Sequence, residues 1–217
     1  MTTTAIRLPG PAVLVRGLVV LGALAMARAP ALAEAPAPAS SDPGRVESGS
    51  YAIEPNHTQV LFSVSHMGFS TFHGQFIQAS GSLSLDAKAP ASSSFEIHVP
   101  VKSVLTSSAK LTDELKGDAW LDAKADPDIV FKSTRVTPLG HGAASVAGDL
   151  TLHGETHPVT LHAKLVGAGV NPLDKKYTVG FDLTGTLRRS EFGVKTYVPL
   201  IGDAVTLTVS GVFERQG

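Results

Sequence analysis

The sequence predicts an all-β protein: an antiparallel barrel of about eight strands with one short helix. Three observations carry this expectation. From Tyr51 onward most of the chain alternates apolar and polar residues with period two. Turn signals separate the alternating runs at hairpin distance. Several runs approach about ten residues, which suits tilted barrel strands better than a small sandwich.

The N-terminus carries export features. Arg7 and Arg16 precede residues 17–27 (GLVVLGALAMA), an apolar run of signal-peptide length that is too short to span a bilayer. Ala31-Leu32-Ala33 then fits the small-x-small cleavage rule. The expectation is a signal peptide over residues 1–33, with Glu34 as the first mature residue. Losing Arg7, Arg16 and Arg28 leaves 15 basic against 19 acidic residues, a net charge of −4. Residues 34–50 (EAPAPASSDPGRVESGS) are rich in Pro, Ala and Ser and read as a flexible leader that buries nothing. Residues 51–217 form the predicted barrel domain.

Within that domain, Val60, Phe62, Val64 and His66 share one face, with Ser63 and Ser65 on the other. Phe95, Ile97 and Val99 alternate with Glu96 and His98. Val159, Leu161, Ala163 and Leu165 repeat the pattern, as do Tyr177, Val179, Phe181, Leu183, Gly185 and Leu187. Val205, Leu207, Val209, Gly211 and Phe213 form the last run. Each strand thus has one apolar and one wet face, as antiparallel sheets do. Residues 138–142 (PLGHG) and 153–156 (HGET) are the clearest turn signals. One segment departs from the pattern. Residues 108–116 (SAKLTDELK) place Leu111 and Leu115 four apart, with Ser107 or Ser108 as N-cap and Gly117 as a stop, and predict the short helix. Trp120 and Leu121 follow, placed to plug one end of the barrel.

Composition narrows the function. Hydrophobic residues make up 43% of the chain, enough for a core. A balance of 18 basic and 19 acidic residues gives no footprint for nucleic acid. The chain has no cysteine, which excludes disulfides, Cys-ligated zinc, iron–sulfur clusters, thiol catalysis and lipoprotein anchoring. Nucleophile-elbow, P-loop, dinucleotide-binding and His-Glu-x-x-His patterns are missing, so no catalytic residues are expected. Of the eight histidines, His153 and His157 flank one turn and His66 and His73 another. Strand-end surface histidines explain them more simply than a metal site, and no metal is expected. Lys175, Lys176, Arg188, Arg189 and Lys195 gather around the penultimate strand, either as a cationic mouth or as solvated strand-end charge.

If the alternation is in register, Phe62, Val64, Phe76, Ile97, Phe131, Leu150, Leu161, Phe181, Leu183, Leu207 and Val209 point inward. A slip of one residue inverts every assignment. Gly74, Gly148, Ala163, Gly185 and Gly211 also fall in apolar registers, where they either leave room or mark bends needed for closure. Arg189, His66 and Trp120 are expected at the rim.

Residues 51–58 (YAIEPNHT), 62–66 (FSVSH) and 68–76 (GFSTFHGQF) resemble the opening of YceI-like proteins. Residues 120–122 (WLD) and 127–134 (PDIVFKST) resemble the middle of that family, and 148–154 (GDLTLHG), 189–193 (RSEFG) and 203–205 (DAV) its later part. Five modest motifs in the right order span nearly the whole mature chain. The resemblance implies a lipocalin-like barrel, usually periplasmic, that encloses a polyisoprenoid such as a polyprenyl phosphate or an isoprenoid quinone. It implies a bound lipid in place of a catalytic cofactor, transient membrane contact, and a monomer or homodimer. Arg189 would then meet a phosphate or quinone oxygen, or pair with Glu191 or Asp203. The family commonly has an Arg-Asp pair in the short helix where this chain has Leu111-Thr112, so no ion pair is expected there. A structural barrel with a filled core and a lipid- or quinone-modifying enzyme remain the alternatives.

Overall fold

A computed structural model describes residues 37–217, so the expected signal peptide lies outside the described residues. The described chain forms β1 (Gly49–Ile53), β2 (Gln59–His66), β3 (Ser70–Phe76), β4 (Ser80–Leu85), β5 (Ser94–Pro100) and β6 (Leu105–Thr106). The helix α1 (Ala109–Leu115) follows, and then β7 (Asp128–Gly140), β8 (Ala143–Leu152), β9 (Glu155–Val170), β10 (Tyr177–Arg188) and β11 (Ile201–Arg215).

These eleven segments make an eight-stranded closed barrel. The hydrogen-bonded order runs β1-β4-β5-β7-β8-β9-β10-β11, and β11 pairs back onto β1. All pairings are antiparallel. The 15-residue β11 is long enough to serve two neighbours on one side. Its residues 213–215 pair with β1 and residues 205–210 pair with β2. β2, β3 and β6 therefore continue the lines of β1, β4 and β5 beyond three interruptions that lie side by side.

Each interruption has a local cause. The Glu54 carboxylate accepts from the backbone N–H of Asn56 (3.0 Å) and of His57 (2.8 Å), which turns the chain between β1 and β2. Gln78 holds a left-handed φ of 61° between β3 and β4. A 3-10 turn at Val101–Ser103 separates β5 from β6. Side chains tie the seam together. The Ser103 hydroxyl accepts from Ile77 N–H, and the Thr58 hydroxyl both donates to Val212 C=O and accepts from its N–H. Past the seam, Leu115 and Leu121 pack against the cluster that contains Phe76, Val99 and Val104. The helical segment and the loop after it thus fill the space between β3 and β7.

The helix starts where the sequence places it. Ser108 caps it through a bond from Leu111 N–H, and Lys116 takes the C-cap position next to Gly117. The position left without an ion pair is used differently: the Thr112 hydroxyl accepts from Thr106 N–H at 3.0 Å and fixes the helix to β6. Both expected turns are hairpins with two left-handed residues, His141 and Gly142 (φ 51° and 72°) and His153 and Gly154 (φ 51° and 74°). That is the primed geometry that matches strand twist.

The leader expectation needs correction. Residues 37–50 include a strap against the barrel wall and not only free chain. Ser40 makes two backbone hydrogen bonds of 2.9 Å with Ala168 on β9. The Tyr177 hydroxyl donates to Arg45 C=O, and the Tyr51 hydroxyl to Glu47 C=O, both at 2.6 Å. Glu47 also pairs with Arg215. Val46 packs on the cluster of Tyr51, Leu83, Leu165 and Phe213. A Pro/Ala/Ser-rich composition signals low helix and strand propensity, but one valine and a few carbonyls suffice to fasten such a segment once the barrel provides partners.

Candidate functional site

Inward side chains of neighbouring strands meet in rows around the barrel. One row runs through direct cross-strand partners, Phe76, Val60, Val209, Leu183, Ala163, Ala144 and Pro138. A second runs through Gly74, Phe62, Leu207, Gly185, Leu161, Val146 and Val136. These rows enclose a cavity of about 850 Å³. Its wall reaches from His66, Met67, Trp120 and Tyr197 at one end to Pro43, Pro90, His141 and Gly142 at the other. The interior is hollow, so the filled-core alternative does not describe this barrel.

All eleven residues expected to point inward lie on that wall: Phe62, Val64, Phe76, Ile97, Phe131, Leu150, Leu161, Phe181, Leu183, Leu207 and Val209. Several inward glycines keep the hollow open indirectly. A Cβ on Gly74 would sit 2.2 Å from Phe62 Cζ, and one on Gly148 would sit 2.3 Å from Phe131 Cζ. At Gly185 the clash would be with Leu161 Cδ2 at 2.6 Å. A side chain of the neighbouring strand lies flat across each missing Cβ, so rings rest on the wall and do not project into the lumen. The two readings of these glycines, room or wall geometry, therefore describe one device.

The wall is almost free of charge. Among the described residues that line it, only His66, Glu114, His141, Arg189 and the Tyr197 phenol are ionisable. Glu114 accepts from Trp120 Nε1 at 3.3 Å. The Trp120 ring lies 6.2 Å from the Tyr197 ring, and the Arg189 guanidinium stands 5.4 Å from the centre of Trp120. Trp120 and Arg189 thus share one end of the cavity, where His66 marks the exposed end of β2.

Arg189 is placed at that end but is not the free rim cation the sequence suggested. It is 5% exposed. Its Nε donates to Gly202 C=O, Nη1 to Val194 C=O, and Nη2 to both Thr196 and Ile201 C=O, all within 2.8–2.9 Å. Four of its five N–H groups therefore hold the 194–202 loop. Burial lowers its pKa from the ordinary guanidinium value, while the charge of Asp203 opposes that shift. Neither Glu191 nor Asp203 forms an ion pair with it; the Asp203 contact is made by its neighbour Arg188 at 3.7 Å. Burial works to raise the Asp203 carboxyl, but two hydrogen bonds from Ser190 outweigh it and hold the group below its usual range. A local sequence reading counts charges but does not see which carbonyls a loop will turn inward.

His153 and His157 do approach a common neighbour. His153 Nδ1 lies 3.2 Å from Phe192 C=O, and the His157 ring packs edge-on against the Phe192 ring at 5.1 Å. No group of three or more potential metal ligands occurs among the described residues. Wall residues that the sequence reading did not pick out include Pro43 and Val46 from the strap, Leu83 and Leu85 from β4, and Tyr197. The alternation SGSLSL at β4 carried a usable signal; the strap and Tyr197 carried none.

The profile described as YceI-like domain matches residues 51–213. The chain belongs to the YceI-like family. A UPF0312 protein of Pseudomonas fluorescens is 38% identical over 157 residues, covering 69% of this chain and 79% of that protein. Among solved structures, Burkholderia cenocepacia BcnA superposes with a TM-score of 0.67 at 24% identity, over 74% of this chain and 98% of BcnA. A polyisoprenoid-binding domain from Saccharophagus degradans, implicated in plant cell wall breakdown, superposes with a TM-score of 0.59 at 12% identity, over 78% of this chain and all of that domain. At these identities the structural matches establish the shared fold. Family, fold and cavity together make this chain a YceI-like barrel with an apolar hollow.

Proposed function

We propose that this YceI-like barrel is an exported, periplasmic carrier that holds one isoprenoid chain in its cavity and performs no chemistry on it. The observation that carries this reading is the hollow itself: about 850 Å³ walled by aliphatic and aromatic side chains. A ligand of matching chemistry has a long apolar body and asks for area and shape more than for directed bonds. Each buried CH₂ contributes about 0.8 kcal/mol, so about twenty such groups offer roughly 16 kcal/mol gross. Ordering the chain and losing its free motion offset much of that, and tight binding still follows without an ion pair. The S. degradans domain with this fold is a polyisoprenoid binder, which favours a prenyl chain over a straight fatty acyl chain. The apolar run and small-x-small site of residues 1–33 support export.

The state of Arg189 bears on the head group. With one N–H left over and no other cation but a histidine on the described cavity wall near Trp120, the site suits a neutral quinone head better than a pyrophosphate. Enzymatic turnover has little support, because Glu114 already serves Trp120 and no second carboxylate lines the described wall. The test is organic extraction of protein purified from its source cells, followed by mass spectrometry. An isoprenoid recovered near one per protein is expected. Consistent recovery of an unrelated compound, or of an empty barrel that binds no quinone when challenged, would overturn the proposal.

A further inference from the structure

The end of the cavity marked by Trp120 is ringed by large apolar side chains that face solvent. Phe69 is 87% exposed, Leu200 61%, Tyr197 61% and Met67 49%. They come from two loops joined directly by Met67 N–H donating to Leu200 C=O at 2.9 Å, and the second loop is closed on itself by Ile201 N–H donating to Tyr197 C=O at 2.8 Å. Ile201 pairs with His66 at the end of β2, which fixes both loops on one side of the mouth. The patch is continuous with the interior, because Met67 and Tyr197 also line the cavity. A contiguous exposed apolar patch around a cavity is not a default feature of a soluble surface.

A second observation points the same way. Met67 (φ 52°) and Tyr197 (φ 60°) both hold left-handed backbone. Asn or Gly would take those positions at lower cost, and side chains of this bulk are uncommon there. The chain thus keeps an apolar side chain at the mouth in two places where local conformation favours a small or polar one. Such outliers mark positions where the side chain has a use.

We propose that this mouth docks on the surface of a lipid bilayer, with Phe69, Leu200, Tyr197 and Met67 entering the headgroup–acyl boundary. The inference rests on the carrier reading above. A long prenyl chain that left a bilayer through water would expose its whole length, whereas a mouth seated in the interface lets it move from one apolar phase to the other. The occupant is a lipid surface and not a protein partner, because the patch joins the apolar cavity wall. A basic and an acidic group both border the mouth, Lys195 in the loop that carries Tyr197 and Leu200 and Glu114 on the cavity wall, so docking is set by insertion and does not require anionic lipid.

The experiment uses the full mature chain and vesicles of phosphatidylcholine and phosphatidylethanolamine. The single tryptophan, Trp120, stands at the mouth and reports contact through a blue shift and through quenching by brominated lipid. Co-flotation of the protein with vesicles is expected. The double variant F69S/L200S changes two exposed side chains outside the cavity wall and lowers partitioning by about tenfold or more. Loading with a quinone delivered from ethanol stays at the wild-type level, while uptake from vesicles falls with partitioning. Wild-type protein that stays with the aqueous fraction, or a double variant that floats as well as wild type, would overturn the docking proposal. So would a dimer that F69S/L200S converts to monomer with no vesicle contact in either form. Failure to load quinone from ethanol would instead remove the carrier reading, and flotation would still be read independently.

Discussion

Adding one methyl group at Gly74 tests how the hollow is kept open. Gly74 and Phe62 are direct partners on β3 and β2, and the ring lies across the glycine. A Cβ there would stand 2.2 Å from Cζ and 2.6 Å from Cε1, closer than any relaxed contact. The backbone around Gly74 is ordinary strand, so alanine is tolerated locally and the ring must move. The lumen is the open direction. A phenyl ring swung inward displaces roughly one isoprene unit of ligand, about four or five CH₂ equivalents, or about 3–4 kcal/mol of gross burial. A flexible ligand recovers part of that by shifting along the cavity, so the expected loss is about 1.5–3 kcal/mol, a Kd increase of roughly 10- to 150-fold. Stability should change far less. Strain from the new contact, about 1–2 kcal/mol, is partly offset by the lower unfolded-state entropy of alanine. The assay is a quinone titration beside urea unfolding of G74A and of F62L/G74A, in which the smaller leucine restores both contact and space. A Kd for G74A within about twofold of wild type would refute the argument that the glycine keeps the ring out of the lumen.

Further outcomes follow from other parts of the barrel. Arg189→Lys keeps the charge but cannot reach four carbonyls, and should cost about 2–4 kcal/mol in urea unfolding, with faster hydrogen exchange confined first to residues 194–202; exchange in that loop equal to wild type would remove the clamp. Burial, reinforced by Tyr177, pushes the Tyr51 pKa up to about 12 from its usual 10. The unfolded chain then releases this proton before the folded one does. Stability from Tyr51 is complete below pH 10 and falls as pH rises through about 12. Spectrophotometric titration of tyrosinate should show Tyr51 ionising last, with Tyr177 also raised by burial, and Tyr51→Phe should abolish the latest step. Gly81→Ala places a Cβ 2.1 Å from Glu96 C=O at a φ of 143°, where backbone meets backbone. It should destabilise by about 3 kcal/mol or more, and near-wild-type unfolding of G81A would contradict the β4–β5 register.

Legibility in the sequence followed the range of the interactions. The inward faces of β2, β5, β9, β10 and β11 were readable because a period of two is a local property and the wet face is marked by Ser, Thr, Lys and His. The hairpins at His141-Gly142 and His153-Gly154 were readable because their backbone demands glycine. The side-by-side breaks at 54–58, 77–79 and 101–104 were not readable. They depend on Thr58 meeting Val212 and on Ser103 meeting Ile77, pairs far apart in the chain. Arg189 shows the same limit at the site. Its sequence neighbours Glu191 and Asp203 advertise ion pairing, yet the folded loop offers it four carbonyls. The strap was missed for the opposite reason: it has little signal of its own and is ordered by partners on β1, β9, β10 and β11.

The two ends of the cavity are fastened in different ways, and this difference bears on where a ligand enters. At the strap end, the backbone of β9 bonds to Ser40, two tyrosine hydroxyls reach Arg45 and Glu47, and Glu47 pairs with Arg215. Opening there breaks contacts to four strands that belong to the closed ring. At the mouth, the strands β2, β3 and β6 lie past the seam and outside the ring that β1 and β11 close. The 194–202 loop beside them is held by one guanidinium, by Thr196, whose hydroxyl donates to Ala119 C=O, and by its link to Met67 and His66 at the end of β2. Rearranging that loop leaves the ring of eight strands intact. Local opening follows the path that sacrifices the fewest shared contacts, so the mouth is the end expected to open first, with hydrogen exchange faster there than at the strap. It is also the end where Met67, Phe69, Tyr197 and Leu200 stand in solvent. Closure of the ring and freedom of the mouth thus both depend on the seam, because its breaks separate the strand lengths that hold the barrel from those that admit the chain.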